Sequence, residues 1–112
     1  LFLGGCAAGT RGPSATAGME KCRLQGESCQ WVDISAPHQC MTPVWEQPGQ
    51  SGSIILYLAE QGITVYDIRY TAQVVCRGCE CPPQYRIEIL VVESSAERIA
   101  QMSLWSDQTQ QE

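Results

Sequence analysis

Three cysteines fall within six residues, Cys76-x2-Cys79-x-Cys81, and no other stretch gathers reactive side chains so closely. A thiolate can hold a soft metal, attack a disulfide or be oxidised into a crosslink. As a metal site, the three sulfurs would seat zinc with Cys40 or His38 as fourth ligand, and Met41 beside Cys40 makes copper(I) conceivable. The usual second Cys-x2-Cys half-site is missing, because Cys22 and Cys29 are seven apart and Cys40 lies eleven further on. As a redox pair, Cys76 and Cys79 need a helix N-terminus to lower a thiol pKa. Instead, a third cysteine and Pro82-Pro83 follow them.

The third chemistry is crosslinking. Cys22, Cys29, Cys40, Cys76, Cys79 and Cys81 allow fifteen pairings, and the sequence does not choose among them. A bridge from Cys79 to Cys81 is strained, because side chains two apart on extended backbone do not meet well. At least one bond is expected from the 76–81 stretch back to Cys22, Cys29 or Cys40. Closing a loop of tens of residues stabilises by about 3–4 kcal/mol.

Other reactive groups are sparse. His38 is the only histidine, so a Ser-His-Asp or Cys-His arrangement would have to use it. It follows Pro37 and reads as a loop residue. Asp33 and Glu46 pair only if the fold brings them together, and no glycine-rich phosphate loop follows a strand. Trp31, Trp45 and Trp105, with the four tyrosines, suit core and edge packing. Trp45, flanked by Pro43 and Pro48, is the candidate partner contact if it is exposed. The reading is non-enzymatic, with no catalytic residue and no cofactor. The alternative is a metal-binding or thiol-redox protein using Cys76, Cys79 and Cys81.

The elements that must position these residues follow from the apolar periodicity. Residues 30–34 and 39–45 predict short strands bounded by breakers. Ser51 or Ser53 caps a helix through Gln61, with Gly62 at its C-terminal end. Alternation predicts a strand over 63–75, with Tyr66, Ile68, Tyr70, Ala72 and Val74 on one face, and another over 85–92. Ser94-x2-Glu97 reads as a capping box for a helix to about Leu104, and the polar tail from Ser106 as frayed. The expected fold class is α+β: a small antiparallel sheet with two helices on one face and a disulfide-stapled N-terminal segment over an edge or end. The order strand, helix, strand, strand, helix resembles a ferredoxin-like unit lacking its last strand.

Length and charge bound the rest. The 112 residues suit one domain, whose core is thin enough that staples help. With 12 acidic against 7 basic side chains and a net charge of −5, there is no basic footprint for nucleic acid. No apolar run is long enough to span a bilayer.

The beginning of the sequence suggests a compartment. Leu1 to Gly5 read as the end of an apolar signal region, and Leu3-Gly4-Gly5-Cys6 resembles the lipobox of bacterial lipoproteins. In that family, cleavage occurs before the cysteine, which is then acylated. The resemblance implies residues 1–5 as a signal remnant and Cys6 as the lipidation site. It implies a protein of the bacterial cell envelope, attached to the membrane by its lipid and facing the periplasm. Ala7, where an aspartate can signal inner-membrane retention, points to the outer membrane. Residues 6–18, rich in small side chains, read as a flexible tether, and 19–112 as one cysteine-rich domain. Removing Cys6 leaves an even six. The function expected is a disulfide-stabilised interaction module with an envelope protein as possible partner.

Overall fold

The computed structural model describes residues 13–107, with side chains from residue 17 onward. The fold is α+β. A three-stranded antiparallel sheet has the order β1-β4-β3, where β1 is Cys29–Asp33, β3 is Asp67–Ala72 and β4 is Tyr85–Val92. Residues 85–92 form the central strand as the alternation predicts. Ile87, Ile89 and Val91 point to one face, and Glu88 and Leu90 to the other. The first strand lies beside the third of the main sheet, as in a ferredoxin-like unit without its last strand.

Two helices cover the Ile89–Val91 face. Helix α2, Ile54–Glu60, opens on Ser53, whose Oγ accepts from the Leu56 N–H at 3.2 Å. It closes at Gly62, whose φ of +83° lets Gly62 N–H reach Ala59 O and Ile63 N–H reach Leu58 O. Ile63 and Leu58 are both fully buried, so this turn also fills the core. Helix α3, Glu93–Ala100, contributes Ala96 and Ile99. Together with Ile34, Ile54, Leu104 and Trp45 these residues make the main core.

Several boundaries differ from expectation for physical reasons. A helix α1, Pro13–Arg23, covers residues 13–18, which their composition assigns to the tether. Proline suits a first helical position, where no N–H is needed, and Lys21 and Arg23 complement the C-terminal dipole. Helix α1 packs across the sheet face opposite α2 and α3, where Cys22 and Leu90 are fully buried. Residues 6–12 and Cys6 itself lie outside the described residues. The 63–75 strand is regular only over 67–72. The 39–45 strand is only β2, Met41–Pro43, followed by a 3-10 turn at Val44–Glu46.

The capping box is not made. The cap position is Val92, without a side-chain bond, and Ser94 lies inside the helix. Glu27 replaces it from the loop before β1: its carboxylate accepts from Ser94 N–H at 3.1 Å and Ser94 O–H at 3.2 Å. A carboxylate there also suits the positive end of the helix dipole. Only the first two residues of the expected tail are described, and they are paired: Trp105–Asp107 forms β5, which pairs with β2 in a second, two-stranded sheet, while residues 108–112 lie outside the described residues.

Candidate functional site

The six cysteines form three disulfides: Cys22–Cys29, Cys40–Cys79 and Cys76–Cys81. The expected long-range bridge is Cys40–Cys79, 39 residues apart. Sulfurs bonded to one another are not thiolates. In this oxidised form the metal and dithiol readings of Cys76, Cys79 and Cys81 therefore lose their ligands and their nucleophile. No group of three or more His, Cys, Asp or Glu side chains among the described residues is placed to hold a metal.

Cys76–Cys81 closes a small ring at the tip of the β3–β4 hairpin, and Gln39 organises it. Gln39 Nε2 donates to Cys76 O at 2.7 Å and Pro82 O at 3.0 Å. Its Oε1 accepts from Gly78 N–H at 3.4 Å, and its backbone N–H donates to Cys81 O. One amide thus satisfies backbone groups around the ring, and the neighbouring Cys40 is crosslinked to Cys79 inside it. Cys40 adopts φ +68°, unusual for a residue with a side chain. The bridge to Cys79 and the bonds of the preceding Gln39 hold it there.

This clamp ties residues 39 and 40 to the 76–82 stretch, and two clefts lie beside it. The first, about 380 Å³, is lined by His38, Cys40, Met41, Tyr85, Ile87 and Trp105. The second, about 420 Å³, is lined by Val32, Ile34, Met41, Met102, Leu104 and Trp105. Met41 and Trp105 line both and form the ridge between them. Trp105 is held by its indole N–H, which donates to Ile34 O at 3.0 Å, and by an edge-to-face contact with Trp45 at 5.4 Å. The walls are mainly aliphatic, thioether and aromatic, with His38, Gln39 and Gln84 in the first cleft and Asp33, Ser35 and Ser103 in the second, which suits a ligand presenting apolar side chains and some polar groups.

The apolar surface continues beyond the first cleft. Tyr85 and Tyr70 are 56% and 60% exposed, and Val74 is fully exposed. Ala72 pairs with Tyr85 and Tyr70 with Ile87, so this row shares the clefts' face of the sheet.

The residues singled out from sequence divide. Trp45 is 6% exposed and belongs to the core, so it presents no partner contact. The 3-10 turn that follows Pro43 rotates it inward against Trp105. His38 lines the first cleft, but its Nδ1–H donates to the Gln39 carbonyl at 2.8 Å, which pairs the ring with backbone. Asp33 and Glu46 are not brought together. Asp33 pairs with Arg86 and accepts from Ser35 N–H. Burial raises its pKa, but the Ser35 hydrogen bonds and the Arg86 charge outweigh this and hold the carboxyl below its ordinary value.

The sequence singled out Met41 only as a conceivable copper(I) ligand, and Tyr85 and Trp105 only as packing residues, and did not join them as cleft residues. The available signal was weak: a methionine next to Cys40, a tyrosine shortly after Pro82-Pro83, and a tryptophan just past the expected end of the last helix.

No protein-family model, no curated protein and no solved structure matches the chain.

Proposed function

We propose that the chain is a non-enzymatic lipoprotein of the bacterial cell envelope. A lipid on Cys6 holds it to the membrane, facing the periplasm and more fittingly at the outer membrane, and its disulfide-braced domain binds another envelope protein. The observation that carries the binding reading is the Met41–Trp105 ridge between two mainly apolar clefts, continuous with exposed Tyr85 and Tyr70. Such a surface costs free energy to leave in water, and contiguous apolar patches mark interaction sites. Aromatic and methionine side chains are the types that anchor protein interfaces. Three disulfides in so small a domain support an oxidising compartment. The resemblance around Cys6 supports the anchor.

The test expresses the full gene in a bacterial host and takes the intact mass of the membrane-extracted protein. The expected result is acylated Cys6, no alkylatable thiol among the other six cysteines, and release to the soluble fraction on Cys6→Ser. An unmodified Cys6 in a soluble chain sinks the anchor. For binding, a photo-crosslinking residue replaces Tyr85 or, as control, the exposed Leu24 at the end of α1. One discrete envelope adduct is expected at position 85 alone, and equal labelling at both positions, or none, sinks the cleft as a docking site.

A further inference from the structure

We propose that the free edge of β3 pairs with the β3 edge of a second copy, joining the two three-stranded sheets into one. Strand β3 is an outer strand, and its residues 69–72 are exposed. In antiparallel pairing, alternate residues turn their N–H and C=O toward the partner. Gln73 N–H donates to Gln84 O, so Asp67, Arg69, Thr71 and Gln73 bond β4. Ile68, Tyr70 and Ala72 therefore turn their backbone groups outward. The first of these is blocked, since Ile68 N–H donates to Asp67 Oδ1 at 2.8 Å. Among the described residues nothing takes the outward groups of Tyr70 and Ala72.

The opposite edge, β1, is one residue shorter, and the side chains of its outward residues are engaged: Cys29 bridges to Cys22, Asp33 bonds Ser35 and Arg86, and Trp31 lies under the Arg69 guanidinium. The open stretch of β3, residues 68–74, has little of the usual protection: no lysine and no proline, and its one charge, Arg69, is paired with Glu88.

The occupant is argued from self-complementarity. With a two-fold axis at Thr71, Tyr70 and the copy's Ala72 exchange both of their backbone bonds, and symmetry repeats the exchange. The blocked Ile68 N–H is called upon only at the outermost Ile68–Val74 pairs, whereas an axis at Tyr70 would require it in the pairs next to the axis. On the apolar face, Val74 lies opposite the copy's Ile68 and Tyr70 opposite Ala72. On the other face, Arg69 meets Gln73 and Thr71 meets Thr71, so no like charges oppose.

Symmetry fits an anchored chain as well. The two-fold axis of such a pair is normal to the sheet, so each face of one copy continues into the same face of the other. Both α1 helices then lie on one side and both pairs of clefts on the other. Cys6 is seven residues before Pro13, a reach of at most ~25 Å, so two anchors on the α1 side can enter one bilayer while the clefts open away from it.

The test is sedimentation equilibrium on the full chain carrying Cys6→Ser, which removes both the lipid and the odd thiol. A reversible monomer–dimer equilibrium is expected. Ala72→Pro deletes an outward N–H without touching the β3–β4 ladder, and raises the dimer Kd at least about tenfold with an unchanged circular dichroism spectrum. Should proline disturb the monomer, Tyr70→Lys puts a charge on an exposed position and keeps the test. Thr71→Cys closes an interchain disulfide, because directly opposed non-hydrogen-bonded residues lie within bridging distance, and Gln73→Cys does not. A chain that is monomeric at all concentrations, or a dimer indifferent to these substitutions, overturns the pairing. Because Cys6 is absent throughout, failure of acylation and failure of pairing are read separately.

Discussion

Gln39 illustrates how a single side chain decides local order. Its amide nitrogen bonds both Cys76 O and Pro82 O. Gln39→Glu replaces two donors with a carboxylate facing two carbonyls, at nearly unchanged shape. The expected cost is about 1–2 kcal/mol, since unmade and repulsive contacts cost more than a made bond returns. The urea midpoint would show it, and faster amide exchange at Gly78 and Cys81 would place it at the ring. Asp33 gives the pH prediction. Its folded pKa is lowered, so its contribution is present above the unfolded carboxyl value and is lost as pH falls through the folded one. Both partners of the Asp33–Arg86 pair are half exposed, and solvent screening keeps its contribution under about 1 kcal/mol. Asp33→Asn should therefore lower the urea midpoint slightly at neutral pH, with the difference shrinking as pH falls below the ordinary carboxyl range. A difference that grows on acidification would contradict this sign.

At the level of elements, α1 depends on one glycine. A Cβ on Gly18 would sit 2.6 Å from Tyr66 O and 3.0 Å from the Asp67 side chain. Alanine elsewhere in a helix stabilises by up to about 1 kcal/mol. Here the neighbour is backbone at the start of β3, so the helix must lift from the sheet. Gly18→Ala is expected to destabilise by about 1–3 kcal/mol, the range for overpacking. Raised Cys22–Cys29 reducibility would accompany it, because that bridge ties the end of α1 to β1. A stabilised variant would show that α1 does not pack closely. Strand β4 and helix α2 were legible in the sequence, because alternation, Ser53 and Gly62 act locally. Helix α1 was not, since Ala, Ser, Thr and Gly side chains are shared by linkers and by helices that pack closely on a sheet. Only the partner surface at Tyr66 distinguishes the two.

Over the whole molecule, the disulfides differ in weight according to the loops they close. Cys40–Cys79 spans 39 residues and Cys76–Cys81 spans 5. Loop-closure entropy gives about 4 kcal/mol for the first and about 2 kcal/mol for the second. The double variant Cys40→Ala with Cys79→Ala should lose roughly twice the unfolding free energy of Cys76→Ala with Cys81→Ala, measured by urea titration. It should also open the first cleft, whose wall contains Cys40, so that a crosslinker at Tyr85 loses its adduct. Equal costs for the two pairs would mean that native packing, not chain entropy, sets the weight of each bridge.

By itself, the sequence determined that the six cysteines past Cys6 had reason to pair, that an amphipathic hairpin leads into a helix, and that the class is α+β. Each of these follows from local chemistry: alternation, caps and an even count of thiols. The tertiary structure alone decided which sulfurs meet, that Trp45 turns inward while Met41 and Trp105 divide two clefts, and that Glu27 rather than Glu97 serves the start of α3. These outcomes depend on contacts between residues tens of positions apart. Periodicity carries no information about such contacts, because the same pattern is compatible with several ways of closing the chain upon itself.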